Sequence, residues 1–546
     1  MHRPAIAALA LLACAQPALA QRTASPESRV IAQLRPATIW GALRFLSDDA
    51  LEGRGTGARG GELAAHYLAS QFMAMGLEPA GDSGTWFHNV PIITLVPSAT
   101  IAVSGGSAPH TLRFRDDFVA WAERPDSLVT VSAELVFVGF GIAAPEWQWD
   151  DYKGVDVRGK ILVMLVNDPG LRNPDIFRGR ILTYYGRWTY KLEEAARRGA
   201  AGVLLVHNDT MATYGWETVR NSWTGDQVRL LTPPTSLAFA GWIQQPVAAA
   251  LLGAQGFDLD RMMRDAATRL FHPVFTGINV SVTVHSTVRY SSAPNVVARW
   301  RGSDSTLRNE VVAVTAHYDH HGIVAPVRGD SIMNGAVDNA SGTASILGVA
   351  EAFARSGVRP RRSVLFVAFT GEEKGLLGSG AFAQRPPVPL GRMAAVFNVD
   401  ETNLFSATRD IAALGTDQSS LGAVLARAAR AEGLRVTTDS SALLRGSFFR
   451  SDHFPLAKAG VPALSWESGH DAVGHPAGWL TAQWETYNNE RYHQPSDTLL
   501  SSYTLDGTLQ QLRVLIRSVL IVGNQTAQPT WNAGSEFRAA GEARAR

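Results

Sequence analysis

The sequence predicts an α/β protein, a mixed and mostly parallel sheet flanked by helices, with a β-rich α+β unit inserted into it. Three observations carry this. Short, largely apolar runs at residues 296–300, 311–316, 364–369, 395–399 and 461–466 have the length and composition of strands buried on both faces. Helical segments at 345–354, 421–432 and 505–522 alternate with them, as in a sheet covered by helices on both sides. Between about residues 97 and 284 the character changes to shorter strands and turns, which marks a second unit.

The chain has 546 residues, more than one ordinary domain holds. The pattern divides it into 1–20, 21–96, 97–284, 285–528 and 529–546. Residues 1–20, MHRPAIAALALLACAQPALA, have the form of a secretory signal. Arg3 supplies the positive start, a short apolar core follows, and Ala18-Leu19-Ala20 forms a small-x-small cleavage site. That core is too short to span a bilayer. Export to the periplasm or beyond is the expectation. The competing form is a lipoprotein anchored through Cys14, the only cysteine of the sequence. Cleavage after Ala20 removes this thiol, so the mature chain has no disulfide. It also removes Arg3 and takes the net charge from +1 to 0. Such a balance argues against nucleic acid as a partner.

Residues 28–80 read as helices, with Leu63, Tyr67, Leu68, Phe72 and Met75 as the apolar stripe and Gly76 as the stop. The preceding loop carries Asp48, Asp49 and Glu52, read as solvated. In the second unit, the runs 135–140 and 161–166 and the buried strand 203–206 surround the amphipathic helix of KLEEAARRG. Asp150 and Asp151 there read as structural. Residues 296–300 and 311–316 are expected to be neighbouring strands joined by the polar turn RGSDSTLRNE. The helix 505–522 carries Arg513 and Arg517, so it packs on a core and does not cross a membrane. Residues 529–546 are polar and Ala/Arg-rich, and are expected to be mobile.

Chemistry-bearing residues stand at the carboxyl ends of the strands, where open α/β sheets bind ligands. His317 and Asp319 follow one strand, Glu372 and Glu373 another, and Asp400 a third. Imidazole and carboxylate are the donors that first-row divalent metals take from proteins. If strand geometry persists through His317, Asp319 shares its face and can orient the imidazole as a carboxylate partner. Glu372 and Glu373 point apart in extended backbone, so one can bind metal while the other acts as general base. Asp338 lies in GAVDNASG, whose small residues let a carboxylate approach two ions about 3.5–4 Å apart. These spacings leave zinc, manganese and cobalt open.

Taken in order, AHYDHHG, GAVDNASG, TGEEKGLLGS, FNVD and YHQPSDT resemble the motifs of the co-catalytic zinc exopeptidases. That family includes secreted bacterial aminopeptidases, glutamate carboxypeptidases and the inactive transferrin receptors. The resemblance spans about residues 28–95 and 290–525 and implies a phosphorylase/hydrolase-like fold. It implies two zinc ions, His317 and Asp400 holding one, Glu373 and His493 the other, with Asp338 bridging. Glu372 becomes the general base toward an activated water, and Asp319 the partner of His317. The activity implied is metal-assisted peptide hydrolysis, and removal of N-terminal residues is favoured because no cluster of arginines marks a pocket for a C-terminal carboxylate. A carboxypeptidase, a single-zinc glutaminyl cyclase-like acyltransferase and a non-catalytic receptor are the alternatives. The RSDHFPLAKAGVPAL block is also similar to a family segment and implies that Asp452 and His453 lie near the substrate. Relatives often hold a tyrosine here to steady the oxyanion. Phe448 and Phe449 stand in its place, leaving His453 or no side chain for that role. His320, His321, His470 and His475 read as packed or exposed rather than ligating. The blocks VGFGI, DYKGVDVRGKI and AARRGAAGVLLVHN make residues 97–284 resemble a protease-associated domain, which implies that this unit shapes substrate access.

Overall fold

A computed structural model describes residues 25–104, 110–232 and 236–544. The signal-like segment 1–20 and Cys14 lie outside the described residues. No helix among the described residues is long and apolar enough to cross a membrane.

Apolar strands sit at the centre. Ser363–Phe369, Val311–His317 and Met393–Val399 run parallel side by side, with Val311–His317 in the middle, and every residue of the three is buried. Ala463–Glu467 adds a further parallel strand beyond Met393–Val399. The helices Gly342–Ser356 and Asp506–Asn524 pack against this sheet, their apolar faces merging into one core. Arg513 and Arg517 point away from that core and pair with Glu432 at 2.8 and 2.6 Å.

Three expectations are corrected. Residues 296–300 and 311–316 are not neighbours, because Ser363–Phe369 lies between them, antiparallel to the first and parallel to the second. The helix Arg59–Ala74 does not bury Leu63, which is 39% exposed. Its inner face is Gly60, Gly61, Ala64, Ala65, Leu68, Ala69 and Phe72. Small residues are required there because a Cβ at Gly60 would lie 1.7 Å from the carbonyl oxygen of Leu51. Residues 529–544 are docked rather than loose: Trp531 and Phe537 are buried, and Arg544 donates to the carbonyls of Leu390, Met393 and Gly460.

The inserted unit is not joined by a flexible linker. Phe87–Ser104 and Val274–Trp300 form a long antiparallel ribbon, paired from Phe87 opposite Val296 to Ser104 opposite Asn279. The second strand runs on into the main sheet, so one sheet passes from the central strands through this ribbon to Leu128–Phe137, Ile161–Leu165, Gly202–His207 and Phe239–Gln244. The unit's apolar core is continuous with one face of the main sheet, where Val311, Leu365, Val396, Phe454 and Trp531 belong to the same buried cluster. It also leans back on the main body. Lys458 pairs with Glu193 at 2.7 Å, Arg178 with Asp417 at 2.6 Å, and the rings of Tyr184 and Phe454 lie 5.0 Å apart.

Candidate metal centre

The parallel strands end on one edge of the sheet and deliver donors there. His317 is the last residue of its strand, Asp400 follows Met393–Val399, and Glu372 and Glu373 follow Ser363–Phe369 after a turn at Gly371. Asp338 comes from the tight segment Ala336–Ser341 that opens the helix Gly342–Ser356. His493 comes from the turn after the helix Trp479–Glu490 and has a positive φ of 55°.

Five of these six side chains, all but Glu372, meet. His317 Nε2 lies 3.0 Å from Asp400 Oδ1 and 3.3 Å from Asp338 Oδ1. The other oxygen of Asp338, Oδ2, lies 3.2 Å from His493 Nε2, which is also 3.2 Å from Glu373 Oε2. The Asp338 carboxylate therefore faces one imidazole with each oxygen. Candidate donor sets close around two points, His317 with Asp338 and Glu373, and His321 with Glu373 and His493, each with its donor atoms within 4.8 Å of one another.

The electrostatics demand positive charge. His317 Nδ1 lies 3.2 Å from the carbonyl oxygen of Asp319, so that nitrogen carries the proton and a neutral ring presents a lone pair at Nε2. Two carboxylate oxygens beside that lone pair are repulsive unless a cation or a second proton intervenes. Burial opposes charge on His317, but Asp400 and Glu372 outweigh it and hold its pKa well above the ordinary value. Burial also pushes the Glu372 carboxyl well above its ordinary range, with Asp400, Glu373 and Asp452 adding to it against the pull of His317. At Glu373 burial is overcome by His320, His321 and His493, which hold its pKa well below. The donor set of imidazole and carboxylate, dense in negative charge, fits divalent zinc.

Asp319 differs in detail from the expectation. Its carboxylate stands 3.7 Å from His317 Nδ1, farther than its own carbonyl oxygen. Oδ2 accepts from Thr56 Oγ1 at 2.8 Å and Oδ1 from the Glu372 backbone N–H at 3.2 Å. Asp319 thus fixes the backbone that carries Glu372.

Asp452 is fully buried beside the cluster, where the charges of His317, Asp319 and Asp400 act on it. Oδ1 accepts from Ser379 Oγ at 2.6 Å, Oδ2 has no hydrogen-bond partner, and burial pushes its pKa up to about 7. His453 turns into an aromatic cluster, its ring 4.7 Å from that of Phe448. His475 stacks on Trp479 at 3.6 Å, outside the cluster, and the backbone N–H of His470 donates to Asp410.

Sequence reasoning missed several residues that hold the site. His320 is fully buried with Nδ1 2.5 Å from Glu373 Oε1, and His321 Nε2 lies 3.2 Å from Glu373 Oε2. Their adjacency to the AHYD motif was the available signal. The Asp497 carboxylate, inside YHQPSDT, accepts from the backbone N–H groups of Val337 and Asp338 at 3.1 Å each and from Tyr487 Oη at 3.2 Å. A relay of Thr315, Asn398 and Ser451 ends on Asp400 Oδ2 at 2.5 Å. Arg54, in the glycine-rich loop, is buried and donates to the carbonyls of Leu46, Tyr318, Asn334 and Gly335.

Residues 295–517 match the model of peptidase family M28. The chain is 37% identical over 105 residues to a probable zinc metalloprotease of Pyrenophora teres f. teres (strain 0-1), a match covering 19% of this chain and 22% of that protein. It is 30% identical over 167 residues to aminopeptidase NAALADL1 of Mus musculus, covering 27% of this chain and 21% of that protein. The chain thus spans about a fifth of the length of these curated relatives. Among solved structures, an aminopeptidase from Aneurinibacillus sp. strain AM-1 is similar over 92% of this chain and 97% of that one, at 19% identity and a TM-score of 0.46.

Proposed function

We propose that this chain, whose residues 295–517 match the model of peptidase family M28, is an exported two-zinc exopeptidase that removes N-terminal residues from peptides. The observation that carries the two-zinc reading is the Asp338 carboxylate, with Oδ1 3.3 Å from His317 Nε2 and Oδ2 3.2 Å from His493 Nε2. His317 and Asp400 would hold one zinc, Glu373 and His493 the other, and Asp338 both.

When bound, a zinc pair acidifies a coordinated water and polarises the scissile carbonyl. The protein's own residues do the rest. Glu372 binds no zinc in this reading. Its carboxylate takes the proton of the attacking water and returns it to the leaving amine, general acid–base work that its buried position suits. Asp319 keeps Glu372 in place through the backbone N–H and holds the proton of His317 on Nδ1 through its carbonyl. The inserted unit, read as a protease-associated domain, would limit access. Its support is the set of contacts it makes with residues 446–458, the segment that supplies Ser451 and Asp452. A Cβ at Gly446, for instance, would meet Leu182 at 2.7 Å.

One observation favours a second reading, a carboxypeptidase. The charge of Arg450 acts on the buried Arg187 of the inserted unit, and neither has a carboxylate partner among the described residues. A substrate carboxylate would satisfy such a pair. Peptides with free, N-acetylated and C-amidated ends, assayed side by side, separate the two. The proposal expects cleavage that acetylation abolishes and amidation spares. Equal cleavage of acetylated peptides sinks the aminopeptidase assignment, and loss on amidation selects the carboxypeptidase.

A further inference from the structure

We infer that His321 is a fourth protein donor to the second zinc, joining Glu373, His493 and Asp338. The inference rests on the two-zinc reading above. His321 Nε2 lies 3.2 Å from Glu373 Oε2, and His493 Nε2 lies 3.2 Å from that same oxygen and 3.2 Å from Asp338 Oδ2. Donors bonded at about 2.0–2.1 Å around a tetrahedral ion stand about 3.3–3.4 Å apart. These separations have the size of coordination edges, and the donor atoms of His321, Glu373 and His493 all lie within 4.8 Å of one another.

Hydrogen bonding does not account for them. The Nε2 atoms of His321 and His493 are both shut off from solvent, and neither is in hydrogen-bond geometry with any partner. Buried ring nitrogens normally find a partner, so two orphans converging on one carboxylate oxygen mark a point suited to a cation. Glu373 is set up for this, because His320 Nδ1 occupies its Oε1 at 2.5 Å and leaves Oε2 facing both rings. The two rings lie 4.4 Å apart at 79°, so they approach the shared point from different directions.

The loop around His321 is held firmly. The His320 N–H donates to the Arg54 carbonyl oxygen at 3.2 Å, and Gly322, at φ +78°, packs so closely on Gly55 that a Cβ there would meet Gly55 Cα at 3.1 Å. With His321 included, the second position has four protein donors. The first would have three, namely His317, Asp400 and Asp338, and so would keep the open position that catalytic zinc uses.

The test uses the full chain, labelled with ring-15N histidine and loaded with 113Cd(II). The wild type is expected to bind two cadmium ions and to show 113Cd–15N splitting at His317, His321 and His493, and His321→Leu to lose one of the three. Two bound ions with splitting at His317 and His493 alone overturn the inference and leave the two-metal reading standing. Fewer than two ions in the wild type overturn that reading instead. As a second measurement, His321→Asn is titrated against a zinc-buffering chelator. It is expected to weaken one zinc about tenfold or more and leave the other unchanged; two unchanged affinities overturn the inference.

Discussion

The Arg54 guanidinium donates from Nε to the carbonyl oxygen of Tyr318 at 2.7 Å, tying a glycine-rich loop near the start of the chain to the backbone between His317 and Asp319. Its remaining nitrogens bond the carbonyls of Leu46, Asn334 and Gly335, so one planar cation joins the loop after His317 to the loop before Asp338. Burial lowers its pKa to about 10, against the raising pull of Asp319 and Asp497, and it stays charged at neutral pH. Arg54→Met strands four buried acceptors. At about 1–3 kcal/mol for an unsatisfied group, the loss is expected to be about 3 kcal/mol or more, with zinc retention falling in parallel. Arg54→Lys keeps the charge but not the fork, and should fall between. Denaturant melts of both variants, with zinc counted after gel filtration, check this. A variant as stable as the wild type would show the network to be dispensable.

Asp497 has a comparable role on the other side. Its carboxylate receives the backbone N–H groups of Val337 and Asp338 and thereby aims the one side chain that faces both imidazoles. Because Asp338 belongs to both proposed zinc positions, Asp497→Ala is expected to weaken both ions together, by about 10–100-fold in affinity. Chelator competition reads this directly. Weakening of one ion alone would mean that Asp338 does not bridge.

Glu372 and Glu373 are adjacent acids with different surroundings. Glu373 is enclosed by His320, His321 and His493, whereas no imidazole lies in ion-pair range of Glu372 among the described residues. Glu372→Gln is accordingly expected to keep both zincs and lose about 10²–10⁴-fold in turnover, the usual weight of a general base. Glu373→Gln should lose zinc. Metal analysis and initial rates on the pair decide it, and zinc loss from Glu372→Gln would show the roles to be reversed.

The sheet and most of the candidate site were legible because fully buried parallel strands read as apolar runs, and the residues that break those runs at one end are the imidazoles and carboxylates proposed as donors. Strand order was not legible. RGSDSTLRNE looks like a hairpin turn, yet Ser363–Phe369, more than sixty residues on from Val296, enters between the strands it joins, a choice made by long-range pairing. The helix Arg59–Ala74 misled because Leu63 and Met75 suggested a face, while close approach to the loop at Leu51 and Gly55 selected glycine and alanine. Arg54 was invisible for the opposite reason: a lone arginine in a glycine-rich loop looks solvated until the fold wraps carbonyls around it. Trp531 and Phe537 are two apolar anchors in an otherwise polar stretch, too few to outweigh its composition.

The docked C-terminal segment is expected to make stability depend on pH through Glu536. Its Oε2 accepts from the Tyr184 backbone N–H at 3.2 Å, and burial pushes its pKa from 4.5 up to about 8. Between those values the folded protein keeps a proton that the unfolded chain has released. The folded state binds more protons, so stability falls as pH rises. This group's contribution is complete below about pH 4.5 and is lost as pH climbs through about 8. Glu536→Gln cannot ionise and removes that slope. The variant's melting temperature is expected to match the wild type near pH 5 and to exceed it progressively toward pH 8–9, measured by thermal melts at fixed zinc. Parallel curves across the range would mean that Glu536 ionises as freely in the folded protein as in the unfolded chain.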